Sequence, residues 1–180
     1  MRGGWCIAEI PLTPDERMDL GRCWNDTQRH ELEAIAKDGC AVLKVLERDE
    51  PRTPKWAYTV GLQHSYGHPE VLIIGLENEH TQILLHSINN RIRNRGLSFR
   101  HGTVWNDVIV GYDCFFQQID SDSYGEWFAG DRWFYRGNDF EAVQMLWPTV
   151  GGVYPWQSAA DSYLRWDQPV LTALPKIFLT

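Results

Sequence analysis

The run Val71-Leu72-Ile73-Ile74 constrains the fold of this 180-residue chain more than any other stretch of its sequence. Successive side chains of a strand point to opposite faces of the sheet, so four adjacent aliphatic residues require an apolar environment on both faces. Gly67 and Pro69 come just before the run, and a helical pattern begins after it at Asn78. The sequence therefore predicts a central strand that other elements cover on each side.

Two principal helices are predicted to pack on the sheet, at residues 26–39 and 78–96. Both segments carry apolar residues three or four positions apart and end at a glycine, which is typical of a helix with one buried face. A shorter helix is expected to start at residues 13–16, where a capping box is combined with proline at the first helical position, and to end at Gly21. A short aromatic helix is also predicted near residues 124–128.

Alternating polarity and β-branched or aromatic residues predict the strands. The extended segments are residues 40–46, 56–62, 71–74, 103–110, 112–119 and 140–147. Residues 47–55 hold two prolines and several charges and are predicted to form a hairpin loop, and the chain from residue 156 on is predicted to be mostly loop. This order predicts an α+β fold with a mainly antiparallel sheet, or a small split-barrel-like sheet, and two principal helices packed on it.

The expected domain organisation is simple. Residues 1–25 are predicted to be peripheral, residues 26–171 to form a single domain, and residues 172–180 to be a C-terminal tail whose apolar stretch 177–179 docks back on the domain. A chain of this length buries enough surface for one hydrophobic core.

Composition narrows the function classes. The chain has 17 basic and 24 acidic residues and a net charge of −7, which argues against non-specific nucleic-acid binding. No apolar run approaches the roughly 18 residues of a membrane span, and the N-terminus lacks a secretory pattern, so a cytoplasmic protein is expected. The four cysteines include no Cys-x-x-Cys pair, which predicts reduced thiols rather than a zinc ribbon or redox motif.

The densest polar cluster, residues 58–70, joins two predicted strands and is the first candidate site. An imidazole titrates near neutral pH, so we interpret His64 or His68 as an acid–base residue and Glu70 as the group that orients it. The ligand-binding candidates in this cluster offer hydroxyls or an accessible backbone: Tyr58, Thr59, Gly61 and Ser65. A purely structural polar turn explains the same residues equally well.

A second cluster, residues 144–156, places two tryptophans beside prolines around a glycine turn. Indole rings stack on flat ligands, although aromatic residues more often cover a core. Gln144, Trp147 and Trp156 are the ligand-binding candidates here. We expect the two clusters to face each other across one cleft, with a flat anionic molecule between them.

Other chemistries of the first cluster are disfavoured. A metal centre at His64, His68 and Glu70 would offer two imidazoles and a carboxylate. Gly67 and Pro69 argue against the helix that would bring both imidazoles to one face, so no metal is predicted.

A serine nucleophile and an anion site are two further alternatives. The segment around Ser65 resembles a nucleophile elbow, but Gln63 replaces its first glycine and a strand is predicted after it. Arginines at positions 91, 93, 95 and 100, with His101, could complete an anion site. The alternative is that these arginines simply complement the negative end of a helix.

Taken together, the motifs resemble a known family. The chain contains AYTVGL, GHPEVLIIGL, VQMLWPTVGGVYPW and a late QPVL. This combination resembles the bacterial domain-of-unknown-function 4262 family over about residues 28–171. The matching residues are Tyr58-Thr59, Gly61-Leu62, Pro69-Glu70, Gln144, Trp147-Pro148 and Pro155-Trp156. Thr149 stands where that family usually has aspartate, and the resemblance implies no particular activity.

The order of elements is also similar to that of flavin-reductase-like split barrels. In that fold, the stretch after the second strand holds the phosphate and ring edge of a flavin, and the matching stretch here is residues 59–65. The analogy implies flavin as a cofactor, with its ring against Trp147 or Trp156 and its anionic group on Thr59 and Ser65.

Three hypotheses of function follow, and whether the chain is an enzyme is left open among them. The first is an enzyme or cofactor-binding domain for a flat anionic small molecule. The second is a non-catalytic interaction module, accessory or immunity-like, with a protein partner. The third is a metal-dependent hydrolase.

Overall fold

The computed structural model describes residues 12–45 and 53–172. The helices are α1 Pro14–Arg17, α2 Asp26–Asp38, α3 Leu62–Tyr66, α4 Asn78–Arg95, α5 Tyr124–Trp127, α6 Ala129–Tyr135 and α7 Ser162–Asp167. The strands are β1 Ala41–Val45, β2 Trp56–Val60, β3 Glu70–Ile74, β4 Val104–Ile109, β5 Tyr112–Gln118 and β6 Ala142–Leu146. Short 3₁₀ helices lie at Leu20–Arg22 and Ser121–Ser123. The predictions for residues 1–11, most of the loop 47–55 and the tail 173–180 fall outside the described residues.

The six strands form one open sheet in the order β1-β2-β3-β6-β5-β4. Two antiparallel three-stranded units, β1-β2-β3 and β4-β5-β6, are joined by the parallel pair of β3 and β6. The predicted α+β fold with a mainly antiparallel sheet is confirmed. The split-barrel alternative is wrong, because β1 and β4 are the two edges of the described sheet and do not pair with each other.

The central strand is β3, and every residue in it is buried. Leu72 and Ile74 pack into the core that lies against α2, α5 and α6. Val71 and Ile73 pack into a second core on the opposite face, against α4. Full burial of an aliphatic side chain is worth about 1.5–3 kcal/mol, so this strand anchors both cores. The strand buried on both faces is confirmed.

The two principal helices are confirmed, with small changes at their ends. Asn25 caps α2 by accepting a hydrogen bond from the Gln28 amide at 2.9 Å, one residue before the predicted start. Gly39 ends α2 with a φ of +83°. The capping box of α1 forms as predicted between Thr13 and Glu16. None of the helices within residues 12–45 and 53–172 has both the length and the apolarity that crossing a membrane requires.

Three helices were not predicted: α3, α6 and α7. Each has only five to seven residues, too few to show a helical stripe of apolar side chains. Their stability comes from tertiary contacts and caps. For example, the carboxylate of Asp161 accepts a hydrogen bond from the Leu164 amide at 2.7 Å and starts α7 inside the segment expected to be loop.

Candidate functional site

The polar segment 58–70 consists of the end of β2, the one-turn helix α3 and the start of β3. Gly61 begins α3 with a φ of +102° and Gly67 ends it with a φ of +61°, left-handed values that favour glycine. A Cβ atom at Gly61 would lie 2.9 Å from Ile35 of α2. The group that approaches the Gly61 backbone is therefore a side chain of this protein, and α2 and α3 are in close contact.

Glu70 is fully buried and holds α3 against the sheet. Its carboxylate accepts from the hydroxyls of Thr59 (2.7 Å) and Tyr135 (2.6 Å) and from the amides of Gly61 (3.0 Å) and Gln63 (3.1 Å). The two amides lie at the N-terminus of α3, where no side chain of the helix itself provides a cap. Burial raises the pKa of Glu70, while the four donors oppose that rise and favour its charged form.

Tyr58 and Thr59 are buried beside this carboxylate. The Thr59 hydroxyl also accepts a hydrogen bond from the Val71 amide at 2.9 Å. The Tyr58 oxygen accepts one from the Gly130 amide at 3.0 Å, and burial raises the pKa of this phenol above its usual range. Both hydroxyls are therefore engaged within the fold.

His68 is buried, and both of its ring nitrogens contact the backbone. Nε2 accepts from the Phe99 amide at 2.8 Å, so the ring proton resides on Nδ1, which donates to the Pro69 carbonyl at 2.7 Å. Burial lowers the pKa of His68 to about 4, which keeps the imidazole neutral. The geometry gives His68 the role of linking the start of β3 to the chain that follows α4.

The side chains of the three residues in the metal-site hypothesis have different surroundings. His68 lies beyond the end of α3 and Glu70 is directed at the helix amides, whereas His64 is on α3 itself. Within residues 12–45 and 53–172, no group of three or more His, Cys, Asp or Glu side chains is placed to hold a metal ion.

The turn of the first predicted cluster lies at the start of strands β3 and β6, and the tryptophans of the second cluster lie beyond the opposite end of these strands. In the parallel pair, Glu70 is opposite Ala142 and Ile73 is opposite Met145, so Trp147 lies beyond the far end of β3. Five residues of strand separate Glu70 from the level of Trp147, a distance of roughly 16 Å. The expectation of one cleft between the 58–70 and 144–156 segments is therefore wrong.

The tryptophans of the second cluster pack with their neighbours at that far end. Trp156 stacks on Tyr154, with ring centroids 4.4 Å apart, and its ring also contacts Phe115 of β5. Trp147 packs at the edge of the second core, and its Nε1 is buried without a hydrogen-bond partner. These two rings cover the end of the sheet.

Gln144 and Gln168 hold the C-terminal segment against β6. The Gln144 amide group donates to the Pro169 carbonyl at 2.7 Å and accepts from the Leu171 amide at 3.1 Å. In the same way, Gln168 accepts from the Trp147 amide at 3.1 Å and donates to the Trp147 carbonyl at 3.0 Å. The polar residue predicted to bind a ligand, Gln144, thus pairs with backbone as a neighbouring strand would.

Replacement of Gln168 by leucine is expected to lower the free energy of unfolding by about 2 kcal/mol, because Gln168 is fully buried and its loss leaves the amide and carbonyl of Trp147 without their partners. Urea-induced unfolding followed by tryptophan fluorescence measures the change. The control is Gln118→Leu, at an exposed position of β5, and equal losses for the two variants would contradict this role of Gln168.

The outer side of α3 borders a groove of about 520 Å³ that is separate from the Glu70 contacts. We call it the α2–α3 groove. It is lined by Met18, Ile35, Ala36, Lys37, Gly39, His64, Ser65, Tyr66 and Arg93. Of the residues predicted to form a site, His64 and Ser65 lie here. Lys37 was not anticipated, because nothing in the sequence indicates that the end of α2 meets α3.

His64 is half-buried, with its ring edge-on to Phe134 at 5.5 Å between centroids. Its Nδ1 is buried and has no hydrogen-bond partner. Burial, together with the positive charge of Arg17, lowers the pKa of His64 and favours the neutral imidazole. A neutral imidazole with an unpaired nitrogen can accept a hydrogen bond or a proton.

The arginines considered for an anion site are divided between different places. Arg91 forms an ion pair with Asp107 at 2.8 Å, and Arg100 donates to the Gly67 carbonyl at 2.8 Å. Arg93 lines the α2–α3 groove, where its guanidinium lies 3.5 Å from the Asp38 carboxylate.

A family model described as a domain of unknown function (DUF4262) matches residues 34–161, which is more than half of the chain. The chain belongs to the DUF4262 family. No curated protein and no solved structure matches it. The matched segment of this DUF4262 domain contains all six strands and the groove residues from Ile35 to Arg93.

Thr149 is the position at which this DUF4262 domain departs from the expected aspartate. The Thr149 hydroxyl accepts a hydrogen bond from the Val153 amide at 3.2 Å and closes the turn between them. A carboxylate oxygen accepts the same kind of bond. The position therefore shapes the turn that follows β6.

Proposed function

We propose that this DUF4262 domain binds a small molecule with a phosphate-like anionic group in the α2–α3 groove. The observation that carries the proposal is that Lys37, Ser65 and Arg93 line one concave surface in a chain of net charge −7. Cationic side chains and a hydroxyl are the groups with which proteins bind such anions. A volume of about 520 Å³ suits a small molecule.

The guanidinium of Arg93 can exchange its partner for a ligand. The Arg93–Asp38 pair is long, at 3.5 Å, and the two side chains are 44% and 48% exposed. Exposed ion pairs of this kind contribute little to stability. A ligand with two negative charges would compete well with Asp38 for the guanidinium.

His64 places an imidazole at the border of the groove. Its neutral imidazole has an unpaired Nδ1 and adjoins Ser65 in the chain. It is the acid–base candidate of the first hypothesis that borders the groove. The flavin version of that hypothesis keeps an anion contact here, but neither Trp147 nor Trp156 lines the groove to stack on a ring.

Titration with inorganic phosphate, FMN and riboflavin tests the proposal. We expect phosphate and FMN, but not riboflavin, to shift the amide resonances of Ser65 and Lys37 in nuclear magnetic resonance spectra. The double variant Lys37→Ala/Arg93→Ala should weaken the affinity at least about tenfold, the effect of losing charge-assisted hydrogen bonds.

The matched control is Arg29→Ala/Arg95→Ala, which removes the same charge from the same two helices at exposed positions outside the groove. This control should keep the affinity within about twofold, because surface charges at a distance are screened by salt. Equal weakening in the two double variants, or no binding of either phosphate or FMN, would contradict the proposal.

A protein-interaction module is the second candidate function, favoured by exposed aromatic rings. Trp24, before α2, is 90% exposed and Tyr163, in α7, is 69% exposed. Aromatic residues of this kind are common at binding hot spots. We rank this function second because the rings belong to separate elements, and single exposed apolar side chains are normal on protein surfaces.

A further inference from the structure

Three carboxyl groups from three different elements are buried in the core, and Tyr135, one turn after Asp131 on α6, donates a hydrogen bond to Glu70. Glu31 of α2 is 8% exposed, and Glu70 of β3 and Asp131 of α6 are fully buried. We call these three residues the acid cluster. Burying like charges near each other is strongly unfavourable, so the cluster requires bound protons or donors to be stable.

Glu70 and Asp131 have opposite surroundings. The carboxylate of Glu70 faces four hydrogen-bond donors, which favour its charged form. Neither carboxyl oxygen of Asp131 has a hydrogen-bond partner. When the two share a limited number of protons, the proton therefore resides on Asp131 and the charge on Glu70.

The other ionisable groups that face Asp131 do not offset a negative charge on it. They are Tyr58 of β2, Tyr124 of α5, Tyr135 of α6 and Cys40 just before β1, besides Glu31 and Glu70. Each of these groups is neutral when protonated and negative when deprotonated, so none of them can supply a positive charge. Within the described part of the chain, no cation is among the groups that these interactions connect to Asp131.

We propose that the acid cluster is a pH-sensitive lock on α3. With a proton on Asp131, Glu70 keeps its charge and holds the N-terminal amides of α3. When Asp131 loses that proton, its charge repels Glu70 and the hold on α3 weakens. Because α3 carries His64 and Ser65, the consequence for ligand binding rests on the proposed function of the groove, whereas the lock itself does not.

The sign of the pH dependence follows from the carboxyl groups. Burial raises the pKa of Glu31 to about 7, and burial with the two neighbouring carboxyls raises the pKa of Asp131 well above its usual range. The folded state therefore binds more protons than the unfolded chain. The stability that Glu31 and Asp131 contribute is complete below about pH 4 and is lost as the pH rises through about 7 and beyond.

Hydrogen exchange of the Gly61 and Gln63 amides tests the lock without a ligand, since both amides donate to Glu70. Protection factors corrected for intrinsic exchange should fall at least about tenfold between about pH 6 and about pH 9 in the native protein. The variant Asp131→Asn, which carries no charge at any pH, should remove most of this fall. Glu31→Gln is the second variant and should reduce it in part.

The control Asp139→Asn removes an exposed acid outside the cluster and should retain the full fall. A fall of the same size in native protein and in both cluster variants would overturn the lock. The phosphate affinity of the groove, measured over the same pH range, separates the two proposals. Absence of phosphate binding at every pH refutes the proposed function alone, because the amide measurement still decides the lock.

Discussion

Replacement of Glu70 by glutamine is expected to lower the free energy of unfolding by about 3 kcal/mol, although the two side chains have nearly the same shape. The carboxylate accepts four hydrogen bonds, and an amide has one oxygen to accept with and an NH₂ group that would face other donors. The loss falls on buried groups that water cannot reach.

Urea-induced unfolding at neutral pH measures this loss. The neighbouring residue Glu141→Gln is the control, because the side chain of Glu141 is 63% exposed and forms only a long contact of 3.7 Å with Arg100. We expect the control to change stability by less than about 0.5 kcal/mol. A loss below about 1 kcal/mol for Glu70→Gln would show that Glu70 does not hold α3 as described.

Gly39→Ala should destabilise the protein by about 3 kcal/mol. Gly39 has a φ of +83°, and a Cβ atom there would lie 1.8 Å from the Tyr66 hydroxyl oxygen and 2.3 Å from the ring carbon that bears it. The substitution therefore combines left-handed backbone strain with displacement of the Tyr66 ring. Because Tyr66 lines the α2–α3 groove, phosphate affinity should fall as well.

Gly67→Ala separates the two contributions to that loss. Gly67 also has a left-handed φ, +61°, but no atom lies within 4 Å of a Cβ placed on it. Its replacement should cost only about 1 kcal/mol, the backbone strain alone. Thermal unfolding of the two variants side by side makes the comparison, and similar melting temperatures would refute the close approach of Tyr66.

The sheet and the longer helices could be predicted because the spacing of apolar residues in each segment shows which of its faces are buried. The aliphatic run of β3 has no arrangement that avoids burial on both faces, and α2 shows an apolar stripe over thirteen residues followed by a glycine. α3 has only five residues, and its free amides are satisfied by Glu70, a residue beyond the helix. No local pattern contains that contact.

The candidate site was only partly predictable for a similar reason. Thr59, Glu70 and Gln144 are polar residues among apolar strands, a pattern that is also typical of ligand contacts. In the structure, each of them forms hydrogen bonds with other groups of this protein. The groove instead combines α3 with Lys37 and Arg93, whose proximity depends on how α2 and α4 pack. The burial of Asp131 could not be predicted, because an acidic residue in a short aromatic segment has the pattern of a surface residue.

The parallel pairing of β3 with β6 has a consequence for how the chain reaches this structure. Each three-stranded unit consists of strands adjacent in sequence, whereas β3 and β6 are separated by residues 75–141. Closing a loop of that length costs chain entropy before any contact compensates for it, so joining the two units is expected to be a late and slow step. Until then, β3 would expose an aliphatic strand edge, and a newly made chain would be most prone to aggregate through that edge.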